Sequence, residues 1–441
     1  MKRFAVLLAA LVSLAASVLA QDQIRTGIGV GGDKIRIAVP NFAAGTQDAA
    51  VAPLQKTFDE VLFNDLTAAG IFDVVSRSFY PLGNFGGPQD MKLDVWSGVP
   101  VKANMVAFGN LGVSNGAMQV QGWLFDTKNP QSPQVLAKQY REQANDGNAR
   151  LIAHKFADEI IYRLGGGING IAESRIYFIS SRSGHKEVWS MDYDGANQQP
   201  VTHLGSISLS PRVSPDNTRV AFSSFYKGGP NISMYSLELG RMLNFPAFGG
   251  TNLSPAWSSD GAHIAFSSSR SGDPEIYVCD ANGGNLKRLT QVHGPDVSPV
   301  WNPRTNSQIA WVSGRSGLPR IYMMDSDGSN VQKLVDNGYA VSPAWSPNGQ
   351  YLAFAWIRHY GPGAPGNSDI YIMDVVSKKW IQLTHDGGRN DFPSWSPDGR
   401  HIVYQSTRGG GEQIWSMLAD GSQQVQLTFG ASNTQPNWSW K

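Results

Sequence analysis

Residues 254–290 read S-P-A-W-S-S-D-G-A-H-I-A-F-S-S-S-R-S-G-D-P-E-I-Y-V-C-D-A-N-G-G-N-L-K-R-L-T, and this stretch returns in altered form through the C-terminal two-thirds of the chain. The proline two residues before each tryptophan-like position marks the period. It falls at Pro211, Pro255, Pro299, Pro343, Pro393 and Pro436, at intervals of 44, 44, 44, 50 and 43 residues. Self-similarity at about 40–50 residues, with several short strands per unit, is the mark of β-propeller blades.

Each unit reads as four strands. S-P-x-W-S is the first. A P-D-G or P-N-G turn follows, in which proline presets φ and glycine accepts positive φ. The second strand alternates apolar and polar residues, as in His263-Ile264-Ala265-Phe266-Ser267. An S-x-R-x-G loop leads to the third strand at 276–280, matched at 321–325 and 370–374. A further glycine turn gives a fourth strand ending in L-T, at 289–290, 383–384 and 427–428.

The ends of the array set the blade count. Five prolines, from Pro211 to Pro393, open complete units, whereas Pro436 opens a unit of one strand. Upstream lies a unit without its first strand, with a second strand at 175–179, a loop at 180–184 and a third strand at 188–192. Residues 436–441 are predicted to supply the missing innermost strand. The ring then closes at six blades and leaves no open edge.

The 441 residues are enough for two or three domains with sizeable cores. A net charge of +1, with 16% charged residues, points away from a nucleic-acid-binding surface. The single cysteine excludes an intramolecular disulfide. Cys279 occupies the third-strand slot held elsewhere by Met191, Met324, Met373 and Met417, so it reads as a packed small hydrophobe.

Residues 1–20 read as a signal peptide: Lys2-Arg3, an apolar run from Phe4 to Leu14, and small residues up to Ala20. The run is short for a membrane span, and no cysteine follows it. The mature chain is expected to begin near Gln21. Residues 21–33, starting Gln21-Asp22-Gln23-Ile24-Arg25, read as a flexible, glycine-rich tail. Its glycines precede a strand, whereas a dinucleotide fingerprint follows a strand and opens a helix. Residues 34–165 alternate strand and helix patterns, an α/β domain, with 166–174 as linker and 175–441 as the propeller.

Several sequence signals resemble active sites but have structural readings. Gly112-Val113-Ser114-Asn115-Gly116 fits G-x-S-x-G, yet it joins two strands and reads as a hairpin turn. The D-x-D-G runs at 192–195 and 325–328 lack the further carboxylates of a calcium loop. His203, His293 and His385 recur near the fourth-to-first-strand loops, where solvation or partner contact is the expected role. No catalytic, cofactor or metal residues are assigned.

A signal peptide, an α/β domain and S-P-x-W-S-P-D-G-x-x-I-A-F repeats, in that order, resemble the TolB family of the Tol-Pal system. The resemblance covers essentially the whole chain. It implies a non-enzymatic periplasmic scaffold that binds a Pal-like peptidoglycan-associated lipoprotein on one propeller face. It also implies that the N-terminal tail engages a TolA-like inner-membrane protein. The chain would then be a monomer, reach membranes only through partners, and support outer-membrane integrity and envelope constriction in division. The alternative is a propeller-based periplasmic hydrolase or lyase with its site in the channel.

In a propeller the second-to-third-strand and fourth-to-first-strand loops share one face, and the P-D-G turns lie on the other. The near-invariant P-D-G turns read as structural punctuation. The first face carries varied chemistry and is expected to bind the Pal-like partner. Its candidate residues are Thr251, Asn252, His293, Asp296, Tyr339, Arg389 and Asp391, with the loop arginines Arg182, Arg270, Arg315 and Arg408. The 50-residue interval places an insertion between the second and third strands of one blade, where Arg358, His359 and Tyr360 are expected to join that surface.

Overall fold

A computed structural model describes residues 34–440 apart from 358, 365 and 386. The leader, the tail, Arg358 and Lys441 lie outside the described residues. The chain begins with a six-stranded mixed sheet. Its strands are β1 (Ile35–Ala38), β2 (Ala43–Ala44), β3 (Phe72–Val74), β4 (Met105–Ser114), β5 (Ala117–Asp126) and β6 (Gln134–Gln143). The order is β3-β1-β4-β5-β6, with β2 against β4. β1 runs parallel to β3 and β4, while β4, β5 and β6 are antiparallel. The G-x-S-x-G run is the β4–β5 hairpin, with both Asn115 and Gly116 at positive φ.

Two long helices, α1 (Val51–Ala68) and α2 (Asp146–Leu164), cover one face of this sheet. Their apolar residues recur at helical spacing, Leu54, Phe58, Leu62 and Leu66 on α1 and Ile152, Phe156 and Ile160 on α2, and all are buried together. Asn145 caps α2, its side chain accepting from the Asn148 N–H at 2.8 Å. Gly122 on β5 must lack a side chain, because a Cβ there would stand 2.7 Å from the Phe156 ring. The opposite face is covered by residues 75–103, with Trp96 fully buried against Phe85 and Tyr80.

Six four-stranded antiparallel sheets follow as blades. The innermost strands are Ser208–Val213, Asn252–Trp257, Asp296–Trp301, Tyr339–Trp345, Asn390–Trp395 and Asn433–Trp438, numbered here as blades 1 to 6. Each packs against its neighbours around the axis, blade 6 against blade 1 included. The last of them pairs with Arg175–Ser180, so N- and C-terminal ends of the propeller share one blade. Closure is as expected, although the strand starts at Asn433 rather than Pro436.

All six innermost strands carry a bulge at the same place. The first of its two bulged residues, the one before the proline, adopts a left-handed conformation although it is never glycine: Ser210, Ser254, Ser298, Ser342, Phe392 and Gln435 have φ between 51 and 55°. A non-glycine residue in that region is strained. Its recurrence in every blade marks the bend as part of the architecture.

Two side-chain networks explain the repeated motifs. In W-S-x-D-G the serine hydroxyl donates to the aspartate at 2.5 Å and accepts from the first amide of the second strand, as at Ser258, Asp260 and His263. The aspartate accepts from the amide two residues on, Ala262 N in this blade. Ser214 and Ser396 repeat the arrangement. In L-T the threonine is fully or nearly buried. Thr290 accepts from Ile276 N at 2.9 Å and donates to Glu275 at 2.6 Å, locking the fourth strand to the start of the third. Thr202, Thr384 and Thr428 do the same with Glu187, Asp369 and Gln413.

Candidate partner-binding face

Strand register separates the two ends of the ring. In blade 2 Asn252 pairs with Ser268 and Ser268 with Glu275, at one end; His263 pairs with Asp280 at the other. The second-to-third and fourth-to-first loops therefore meet on one face, and the P-D-G turns lie on the opposite face. On the first face the loops are laced in pairs. Thr251 N donates to Ser269 Oγ at 2.9 Å, and Arg389 N to Thr407 Oγ1 at 2.9 Å. Gly294 N donates to Asp273 at 3.1 Å.

The α/β domain occupies part of the P-D-G face, over blades 5 and 6. His401, just past the P-D-G turn of blade 5, has Nε2 at 2.8 Å from the Ala68 carbonyl. Arg400 donates to the Gly165 carbonyl at 3.3 Å. Arg150 on α2 donates to Asp194 at 2.7 Å, and Tyr193 OH to Asp65 on α1 at 2.6 Å. His154 Nδ1 lies 2.7 Å from the other Asp65 oxygen. Asp65, His154 and Tyr193 are all buried. Burial alone would lower the His154 pKa, but the hydrogen bond and charge of Asp65, aided by Asp194, raise it.

The predicted surface residues divide into two groups. Thr251 and His293 are exposed, His293 completely, with Nδ1 at 3.2 Å from Asp273. Arg389 is half-exposed, and Tyr339 stands edge-on to Tyr360 at 6.2 Å. Asn252 and Asp296 are at 0% exposure, and this corrects their reading as contact residues. Each opens an innermost strand and braces the chain around it: Asn252 donates to Asn231, at the start of the third strand of blade 1, at 2.9 Å, and Asp296 accepts from Arg315 in its own blade at 2.8 Å. Asp391 is likewise buried, accepting from Arg389 at 3.0 Å and from Ser342 Oγ, on the neighbouring blade, at 2.7 Å.

The loop arginines sit over blade aromatics. Arg182 stacks on Trp189, Arg270 on Tyr277, Arg315 on Trp311 and Tyr322, and Arg408 on Tyr404 and Trp415, at 4.5–5.9 Å. Arg408 also donates to Tyr404 OH at 2.7 Å and to Ser406 at 3.1 Å. Such stacking fixes the loop and consumes much of the guanidinium. The three loop histidines do not form a metal site, and no group of three or more His, Cys, Asp or Glu side chains suited to a metal occurs among the described residues. Cys279 is buried in blade 2, and burial pushes its thiol up to about 12.

The insertion divides between strand and loop. In blade 4 the pairing extends one step further than elsewhere, to Ile357 and Ser368, so positions 358–367 separate the two strands in sequence, against 269–274 in blade 2. Tyr360 is exposed and stands edge-on to Tyr339, which opens the innermost strand of the same blade.

These features define the class: a closed six-bladed propeller whose one face is partly capped by an α/β domain and whose other face presents varied loops. A family model described as the TolB amino-terminal domain matches residues 28–132, and one described as the TolB beta propeller domain matches 162–356 and 335–441. The chain belongs to the TolB family. It is 33% identical over 242 residues to the Tol-Pal system protein TolB of Desulfosudis oleivorans, covering 54% of each chain. It is 34% identical over 220 residues to that of Geobacter sulfurreducens, covering 48% of each. The chain spans about half the length of these curated relatives. The crystal structure of TolB from Acinetobacter baumannii shares the fold, with a TM-score of 0.77 over 92% of this chain and 97% of that one at 24% identity.

Proposed function

We propose that this protein is a non-enzymatic, periplasmic component of a Tol-Pal system, binding a Pal-like lipoprotein on the loop face of the propeller. A TolA-like inner-membrane protein engages the tail at Gln21–Arg25. Linking these layers supports outer-membrane integrity and constriction at division. The observation that carries the reading is the position of the α/β domain. It covers part of the P-D-G face and leaves the loop face open, so the surface with the most varied side chains is also the accessible one.

Within that face the exposed Thr251, His293 and Arg389 and the half-buried Tyr339 make the contacts. Asn252, Asp296, Asp391 and the stacked arginines hold the loops in place for them. Aromatic and arginine anchors dominate such interfaces, costing more than about 2 kcal/mol on truncation, while rim charges cost little. The test is paired alanine sets on each face, with affinity for a purified Pal-like lipoprotein and melting temperature measured together. Tyr339→Ala with Arg389→Ala is expected to weaken binding at least about tenfold with little change in melting temperature. Loss confined to substitutions on the P-D-G face would overturn the assignment.

Trimming residues 358–367 to the six-residue length of the other blades is expected to weaken the same binding, because Tyr360 loses its place beside Tyr339. Stability should hold, since long surface loops cost little to close or shorten. Unchanged affinity would mark the insertion as a passive surface loop.

A further inference from the structure

The P-D-G end of the central channel is walled by indoles. The innermost strands end in Trp257, Trp301, Trp345, Trp395 and Trp438, and only blade 1 departs, with Val213. The residue before this position is small or neutral in five blades, Ala256, Val300, Ala344, Ser394 and Asn437, but it is Arg212 in blade 1. Trp440 leans over the gap left by Val213, its Nε1 donating to the Val213 carbonyl at 3.2 Å. Together these groups line a cavity of about 200 Å³.

Arg212 has no ion-pair partner among the described residues. Its Nη1 donates to the Pro211 carbonyl at 2.9 Å, the one hydrogen bond its side chain makes among the described residues. Burial lowers its pKa to about 10, so it remains a cation at neutral pH. Arg212 is half-buried, and a partly desolvated charge without a counter-ion destabilises a fold, whereas a neutral residue at this position serves the other five blades. The guanidinium fork matches a carboxylate, and indole faces and edges suit an aromatic ring.

We propose that this end of the channel binds a small aromatic carboxylate, its ring packed among the indoles and its carboxylate held by Arg212. The volume is below the roughly 300–1,000 Å³ typical of drug-sized ligands, which fits a single-ring acid. Access is through the cleft between the two domains, since Trp440 and Pro397 line both spaces. The site lies at the end of the channel opposite the loop face, so its occupancy and lipoprotein binding are separately measurable.

The test uses the full chain and phenylacetate, followed by tryptophan fluorescence and calorimetry, with phenylacetamide and acetate as probes of ring and charge alone. Saturable phenylacetate binding is expected, with both controls about tenfold weaker or more. Arg212→Met should bring phenylacetate down to the level of the amide and raise the melting temperature, because it removes an uncompensated cation. Arg212→Lys should retain part of the affinity, and Arg212→Gln replaces the methionine variant if that one does not fold. Equal binding of acid and amide, no phenylacetate binding by the wild type, or an Arg212→Gln or Arg212→Met variant that binds as the wild type does, would each overturn the proposal.

Discussion

Replacing Trp438 by alanine is expected to lower the unfolding midpoint of the propeller by on the order of 10 °C. Trp438 is 3% exposed, and its Nε1 donates to Ser174 Oγ at 2.7 Å, across the junction of the two chain ends. Truncating a buried tryptophan costs about 3–5 kcal/mol, and each kcal/mol shifts the midpoint of a large domain by roughly 2–4 °C. Deleting the whole strand Asn433–Trp438 removes more. Asn437 Oδ1 accepts from Val213 N at 2.9 Å and Gln435 Oε1 from Ser210 N at 2.7 Å, so blade 1 also loses its contacts. The exposed edge of Arg175–Ser180 would then be free to pair with other chains. Scanning calorimetry with light scattering reads both effects. A truncated chain that melts within a degree of the parent and stays monomeric would show that closure contributes little.

The second large effect is expected at the domain junction. Asp65→Ala leaves His154 and Tyr193 buried without their shared acceptor, a type of loss that costs about 3–5 kcal/mol. Tyr193→Phe removes one hydrogen bond to that carboxylate and should cost about 1.5–3 kcal/mol. Because the groups span both domains, the first symptom is undocking, read as faster hydrogen exchange along α1 and α2 while the propeller stays protected.

The same junction carries a pH dependence. His154 has a raised pKa in the folded protein, so its contribution is fully present below the unfolded value of about 6.5 and is lost as pH rises through the folded value. The groups facing it are Asp65, Tyr193, Asp194 and Arg150, with Asp192 3.7 Å from Arg150. Asp158 on α2, which accepts from Ala172 N at 3.0 Å, is pushed up to about 7 by burial. Its sign is the same: the proton it holds in the folded state favours docking at low pH, and that favour fades as pH rises through about 7. Docking should therefore tighten from pH 8.5 to pH 6, and His154→Gln should flatten most of the change. Equal exchange along α1 and α2 at the two pH values would refute it.

The sequence by itself determined the blades, their number and their closure. Each blade's punctuation is local. The serine, aspartate and glycine of a P-D-G turn, and the threonine that clamps a third strand, find their partners within about 15 residues. The pattern therefore recurs intact along the chain. The α/β domain was legible for the same reason, from the helical spacing of Leu54 to Leu66 and the turn at Asn115-Gly116. The tertiary structure alone decided which face the α/β domain covers, since Asp65 and Tyr193 are 128 positions apart and nothing local marks them as partners. It also decided which loop residues are surface and which are braces. Asp296 and Asp391 look like exposed loop charges in sequence, but the strand ends that carry them turn inward, and arginines cover them. Arg212 stands in the sequence where the other five repeats carry a neutral residue, but no local pattern singles it out. Only the ring, by bringing five distant tryptophans around one axis, made it a half-buried cation facing a cavity.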